Sequence, residues 1–543
     1  MEEGVAARGG MGAAAVTAAG ALDRSAVLRE METTPMWDVL VIGGGATGLG
    51  AAVEAASRGY RTLLIERDDF AKGTSSRSTK LVHGGVRYLE QFNIRLVLDA
   101  LKERGHMLRN APHLVHPMSF VVPVYDYMGL PYYGVGLKLY ERLSGKLSLG
   151  RSEMLSRGET IARLPTIRQA GLKGGVLYQD GQFDDARFAI TLMRTLFDLG
   201  GVAINHAAVV RLLQNDGKTC GAVVRDAESG DEQEIRASAV INATGVFAEE
   251  VLTMDTPGEK TKLLAISQGT HLVLPREYLP GTSALMVPKT SDGRVLFAIP
   301  WHDHLVVGTT DEPMPQSASE PRSTAGEREF LSDHIRKYLG RAVEQQDVLS
   351  MWSGLRPLAA GGNATTAKLS RDHKLLVSPT GLITVTGGKW TTYRRMGEDA
   401  IQHAADVGQL SASPSRTLDL HLHGWTESTA ASSDESSQTV YGSDRGALDA
   451  VCAERPELRE VLHPRLPYRK GEVVWAARFE MARTVEDVLA RRTRALFLNA
   501  RAATEAAPTV ATLLAAELGR SPEFRERDLL AFQTLAKGYV YAA

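Results

Sequence analysis

The segment from 37 to 69, WDVLVIGGGATGLGAAVEAASRGYRTLLIERDD, constrains the chain more than any other. An apolar run at 39–42 enters a glycine cluster, an Ala-rich helical stretch follows, and a second apolar run occupies 62–65. That order reads as strand, turn, helix, strand. Gly43, Gly45 and Gly48 form GxGxxG between strand and helix, and Glu66 ends the second strand 18 residues beyond Gly48. Each part has a physical task in dinucleotide binding. The first glycine permits the turn, the second lets a pyrophosphate approach the backbone, and the third lets helix and strand pack closely. The helix N-terminus faces the phosphate charge. A carboxylate at Glu66 accepts hydrogen bonds from a ribose diol and repels a ribose phosphate, which disfavours NADP and leaves FAD and NAD.

The chain has 543 residues, enough for three or four folding units. Lys and Arg number 62 against 64 Asp and Glu, so no charge bias points to nucleic acid as a partner. Cys220 and Cys452 are the only cysteines. Two thiols give neither a disulfide framework nor an iron–sulfur cluster, so electron chemistry must use an organic cofactor. No run of 18 apolar residues predicts a transmembrane helix. Residues 1–35 are Ala/Gly-rich, match secretory and transit signals poorly, and are expected to be a disordered extension. Strand-to-glycine junctions recur at Asn242–Gly245 and at 381–400, which suggests an α/β nucleotide-binding domain assembled from 36–110, 174–254 and 351–408. Residues 111–173 and 255–350, rich in short β-type runs, would form an antiparallel-sheet substrate cap. The Ser/Thr-rich stretch 409–442 reads as a linker, and 443–543 as a helical C-terminal domain.

Candidate chemistry lies in two clusters. In GTSSRSTKLVHGGVRYLE, the hydroxyls of Thr74, Ser75 and Ser76 suit a loop passing a pyrophosphate. Gly84 and Gly85 beside His83 would let backbone lie against a flat ring, with Arg87 and Tyr88 towards its open side. In the second cluster Arg356, Arg371 and Lys389 stand at apparent strand ends or turns. If these cations converge with Arg87, their charge demands a strongly anionic ligand, and a phosphomonoester fits. Taken singly, each arginine reads rather as a surface ion-pair partner, and the case rests on their convergence. His271 precedes an apolar strand and is either a satisfied core imidazole or a catalytic one. His302 and His304 sit two apart, but no further ligand set completes a metal site, so no metal is expected.

With these residues assembled, the sequence resembles the FAD-dependent glycerol-3-phosphate dehydrogenases, including the mitochondrial type. DVLVIGGGATG, GTSSRSTKLVHGGVRYL, LPYYGVGLKLYERLSG, SGLRPL and GLITVTGGKWTTYR carry the likeness, which runs from about 37 to 500. The resemblance implies a Rossmann-like FAD-binding domain of glycine-oxidase type, a cap and a helical C-terminal domain. It implies oxidation of sn-glycerol 3-phosphate to dihydroxyacetone phosphate, with electrons passed to ubiquinone or menaquinone. Gly43, Gly45, Gly48, Glu66, Thr74, Ser75, Ser76, His83, Gly84, Asn242, Ala243, Thr244, Gly245 and Gly388 would contact the cofactor. Arg87, Tyr88, His271, Arg356, Arg371 and Lys389 would form the substrate site. His83 is the expected base, since an imidazole is largely neutral at pH 7, with His271 in reserve and Arg87 orienting the substrate oxygen. Thr79 stands where many relatives have Ser and keeps the hydroxyl.

A quinone acceptor implies peripheral attachment, at the cytoplasmic face of a bacterial inner membrane or at the mitochondrial inner membrane. Residues 128–143 and 390–406 are amphipathic, and each can either pack on the protein's own core or lie on a bilayer. A homodimer is compatible with all of this. An oxidase that releases peroxide would use similar active-site residues, and a non-catalytic flavin-binding electron-transfer subunit would retain only the nucleotide fold.

Overall fold

The computed structural model describes residues 20–85, 93–258, 262–290, 293–359, 372–427 and 439–541. Its α/β frame begins with the strand Trp37–Ile42, which pairs in parallel with Glu232–Asn242 on one side and Thr62–Ile65 on the other. Five of its six residues are buried, as a central parallel strand covered on both faces requires. The sheet runs from His373–Val377 through Ile383–Gly387, Glu232–Asn242, Trp37–Ile42 and Thr62–Ile65 to Val202–Ile204. The helices Ala46–Ser57, Asp185–Asp198 and Tyr393–Val407 carry their apolar faces to its core. Tyr393–Val407 thereby resolves one of the two amphipathic readings, because Met396, Ile401 and Ala404 pack inward.

A second sheet of ten strands stands beside the first. Its neighbouring strands are antiparallel except for Val115–Val124 against Ala284–Val287. Leu81–Val82, Gly174–Phe183 and Ser350–Ala359 belong to this sheet, although their place in the sequence assigns them to the nucleotide unit. Pairing overrides chain order here. Gly174–Phe183 takes Val115–Val124 along its whole length, and Ser350–Ala359 pairs with Leu264–Pro275 over ten positions.

The C-terminal part is helical, with Arg445–Ala453, Gly471–Phe479, Ala500–Leu518 and Pro522–Ala536 as its longer described elements. Its core is shared with Val273, Trp301 and Trp352 of the second sheet. Among the described residues, no helix is long and apolar enough to cross a membrane.

Two polar stretches are more ordered than composition suggests. Arg24–Thr33, expected within a disordered extension, is a helix. Asp23 caps it through the amide of Ser25, Val27 and Met31 enter the core, and Arg24 pairs with Asp226 at 2.5 Å. Residues 409–427, expected as part of a linker, are strapped down: Tyr60 donates to the carbonyl of Ser411 at 2.7 Å and Leu422 to that of Asn110 at 2.9 Å.

His423 fastens the end of this strap, with Nδ1 at 2.7 Å from Asp198 and Nε2 at 2.8 Å from Asp444. Burial opposes the imidazolium, but the two carboxylates outweigh it and raise its pKa from 6.5 to about 9. A raised folded-state value stabilises fully below about 6.5 and is lost as pH rises through about 9. His423→Gln should therefore cost about 3 kcal/mol near pH 6 and almost nothing near pH 10. Thermal midpoints of both proteins across that range check the closing gap.

Candidate active site

The carboxyl ends of four parallel strands open on one cleft, lined by Gly43, Glu66, Thr244 and Gly388 among others. This is where an open α/β sheet places its ligand. Gly43 holds φ at +110°, and a Cβ on Gly48 would lie 1.8 Å from its carbonyl oxygen, so the helix can seat on the turn only without a side chain there. No side chain at Gly45 caps Ala46–Ser57, and its N-terminus opens on the cleft. Glu66 accepts from the amides of Gly44 at 2.6 Å and Asp68 at 2.8 Å. Burial raises its carboxyl pKa, and those amides pull against the rise.

The cradle fits a dinucleotide. A Cβ on Gly45 would meet only Ser75 Oγ, at 3.1 Å, and the backbone φ of −85° suits any residue. Gly45→Ala should fold normally, with a thermal midpoint close to the parent's, yet fill the space a pyrophosphate needs. Flavin affinity should fall by at least about tenfold, read as flavin released on desalting.

Three loops meet at the cleft. Thr74 donates to the carbonyl of Leu355 at 2.6 Å, Trp390 Nε1 to that of Ser75 at 2.8 Å, and the amide of His83 to Thr391 Oγ1 at 3.2 Å. The loop 73–85 is thus bonded both to the strand bearing Arg356 and to the turn bearing Lys389. Gly43, Gly45, Glu66, Thr74, Ser75, Ala243, Thr244, Gly245, Gly388 and Lys389 all line the cleft. Five expected cofactor contacts do not. Gly48 closes the helix on the turn, and Asn242 shapes its own turn by donating to the carbonyl of Ala248 and accepting from Thr244 Oγ1. Ser76 is buried, with its carbonyl turned to Lys80 and Arg494, both at 2.8 Å. Gly84 is also buried, its amide donating to Tyr140 at 2.7 Å. His83 is half-buried outside the lining. Arg87, Tyr88 and Arg371 lie outside the described residues.

The second sheet meets the cleft at Pro357, the neighbour of Arg356. Ser267, Gly269 and His271 alternate onto one face of Leu264–Pro275, where Ser267 pairs with Arg356. The Arg356 guanidinium lies over Gly269, whose absent Cβ would sit 2.1 Å from Nη2. It donates to Thr309 Oγ1 and the carbonyl of Thr310, each at 3.1 Å, and stands 3.5 Å from Asp311. His271 stacks on Trp352 at 4.0 Å between centroids, and its Nε2 is 3.0 Å from Thr79 Oγ1. Burial, with the charges of Lys80 and Arg356, holds its pKa well below 6.5, so the ring is neutral.

Sequence reasoning passed over the supports. The hydroxyl of Thr79 has its partner in His271, and the tryptophans in MWSGLRPL and GGKWTT brace His271 and Ser75. Lys80 is fully buried, donates to both oxygens of Asp185 at 2.7 and 2.9 Å, and lies 4.6 Å from the Trp352 ring centre. Arg494 of the C-terminal part meets the same carboxylate at 3.1 Å. His302 is turned to Asp184 at 3.4 Å, and His304 Nδ1 to the carbonyl of His302.

Comparison with known proteins adds the family. The profile described as "FAD dependent oxidoreductase" matches residues 38–394, and that described as "C-terminal domain of alpha-glycerophosphate oxidase" matches 380–525. A probable mitochondrial glycerol-3-phosphate dehydrogenase of Caenorhabditis elegans is 40% identical over 530 residues, 92% of this chain and 73% of that protein. The solved glycerol-3-phosphate dehydrogenase of Bacillus halodurans, complexed with FAD, superposes with a TM-score of 0.78 at 29% identity, covering 95% of this chain and 98% of that one. Glycine oxidase of Geobacillus kaustophilus shares the fold over 70% of this chain and 97% of its own, with a TM-score of 0.51 at 19% identity. The chain belongs to the FAD-dependent oxidoreductases, in the glycerol-3-phosphate dehydrogenase family.

Proposed function

We propose that the protein oxidises sn-glycerol 3-phosphate to dihydroxyacetone phosphate and hands the electrons to a membrane quinone, ubiquinone or menaquinone, from a peripheral position on the membrane. That membrane would be a bacterial inner membrane at its cytoplasmic face, or the mitochondrial inner membrane. The observation that carries this reading is Arg356, lying along the sheet towards a neutral His271 and tied through Leu355 and Thr74 to the dinucleotide cleft. Bound FAD supplies the hydride acceptor, held by Gly43, Gly45, Glu66, Thr74, Ser75, Thr244 and Gly388.

Around it the chain's own groups divide the work. Arg356, Lys389 and Arg371 hold the phosphate dianion, and Arg87 with Tyr88 orients the hydroxyl at carbon two. As the hydride leaves that carbon, the hydroxyl proton passes to His83. His271, kept neutral and fixed by Thr79, offers a hydrogen bond to the substrate oxygen without adding charge.

Anaerobic mixing with glycerol 3-phosphate should bleach the flavin, and a quinone analogue should restore it faster than air does. Faster restoration by air would favour a peroxide-releasing oxidase instead. His83→Ala should slow bleaching about a hundredfold or more with flavin still bound, and an unchanged rate would remove His83 from the role.

A further inference from the structure

We propose that the turn 491–494 of the C-terminal part is a cofactor-retention clamp, which holds the loop 66–77 in its FAD-binding shape from behind and sets how long the flavin stays. That loop has two faces. Residues 66–68 and 71–75 line the dinucleotide cleft. Asp69, Ser76 and Arg77 are buried on the other side, and each meets the C-terminal part.

The contact is built from charge. One oxygen of Asp69 accepts from Arg491 Nε and Arg492 Nη1, each at 2.5 Å, and the other from Arg492 Nη2 and Asn205 Nδ2, each at 2.9 Å. Burial opposes this carboxylate, but the two guanidiniums hold its pKa below the ordinary 3.8. Arg491 also donates to Glu486 at 2.7 Å, and Glu486 accepts from Lys72 at 3.0 Å. Lys72 lines the cleft. The series Asp69, Arg491, Glu486, Lys72 therefore begins and ends on the loop, three residues apart, and closes a ring of ion pairs through the C-terminal part. Arg494 donates to the carbonyl of Ser76 at 2.8 Å, and the Arg77 guanidinium lies 5.9 Å from the ring centres of both Phe497 and Tyr539.

The backbone is bent to deliver these side chains. Asp487–Arg492 is a π-helix, and the amide of Thr493 continues it to the carbonyl of Val488, five positions back, at 2.9 Å. Arg494 then takes a φ of +63°, a left-handed conformation that is unfavourable for a residue with a Cβ. Such turns persist where surrounding contacts hold them, and they gather at functional sites. Here the contacts are those to the loop. Apolar side chains would bury the same surface with no loss of stability, whereas three buried arginines within four positions fix one geometry of what they touch. A loop already held in shape binds its ligand without first being ordered, so flavin and the arginine turn stabilise each other by the same factor. The inference rests on the FAD cleft described above and on neither the substrate nor the acceptor.

Flavin release from the FAD-loaded protein tests the clamp, followed as the rise in flavin fluorescence after dilution, at a temperature where the helical circular dichroism is intact. Arg492→Met should release FAD at least about tenfold faster than the parent. Arg492 does not line the cleft, so in the fraction still loaded the rate of flavin reduction by glycerol 3-phosphate should stay within about twofold. Arg187→Met is the control. The buried Arg187 guanidinium pairs with Glu480 of the C-terminal part at 2.7 and 2.8 Å and lies over the Tyr441 ring rather than on the loop. That variant should lose thermal stability yet release flavin at the parental rate. Should Arg492→Met fail to fold, Arg491→Gln, which leaves the Arg492 fork on Asp69, carries the same test with release about fivefold faster. Release at the parental rate from the arginine variant overturns the proposal. So does an equal acceleration in Arg187→Met, which would make the effect a general loosening. A parent that keeps its flavin but is not reduced by glycerol 3-phosphate would defeat the substrate reading and leave the clamp standing.

Discussion

Arg356→Ala should lower kcat/KM for glycerol 3-phosphate by about a thousandfold with FAD retained. Truncating one partner of a desolvated, hydrogen-bonded charge pair costs about 2–5 kcal/mol, which spans roughly thirtyfold to several thousandfold. The upper part of that span applies because the guanidinium is only 21% exposed and lies on the sheet between Gly269 and Thr309. Water fills such a gap poorly as a phosphate ligand. Arg356 is absent from the lining of the dinucleotide cleft, so flavin content should not move. Arg356→Lys should recover part of the loss, since a point charge returns without the planar fork that matches two phosphate oxygens. A variant with parental kcat/KM would remove Arg356 from the phosphate site.

Asp185→Asn should be the most destabilising single change near the cofactor loop, at about 3 kcal/mol or more. Its carboxylate is fully buried and accepts from Lys80, Arg494 and both the amide and hydroxyl of Ser78. An amide keeps the shape but leaves two buried cations facing one another. Burial already outweighs the pull of Asp185 and drives the Lys80 ammonium down from 10.5 to about 7. The folded protein therefore sheds this proton near neutrality while the unfolded chain keeps it to about 10.5, so stability rises with pH between those values. Without Asp185 the folded-state value falls further, and the variant's deficit should shrink as pH rises and Lys80 deprotonates. Thermal midpoints at about pH 6 and pH 9 read the effect; a deficit that grows with pH would contradict it.

What was legible in the sequence follows from the range of the interactions. The glycine turn, the helix after it and Glu66 are local, and each residue's task is set by neighbours within thirty positions. The cleft lies at that turn. Strand partners are not local. Gly174–Phe183 precedes a nucleotide-unit helix in the chain yet pairs with Val115–Val124 in the other sheet, and no periodicity encodes that choice. The helix Arg24–Thr33 was hidden by Ala/Gly-rich surroundings, although Asp23 two residues before Ser25 is an N-cap signal. Lys80, Asp185 and Arg494 are separated by 105 and 309 positions, so their cluster exists only in three dimensions. Thr79 likewise finds His271 across 192 positions.

The central claim is that Arg356 and the cations proposed to act with it recognise a phosphate ester rather than an alcohol. Anaerobic titration of the flavin absorbance with sn-glycerol 3-phosphate and, separately, with unphosphorylated glycerol reads this directly. The phosphate ester should bleach the flavin to completion, and glycerol at about a thousandfold higher concentration should leave it oxidised. Equal bleaching by both, or none by the phosphate ester, would contradict the account.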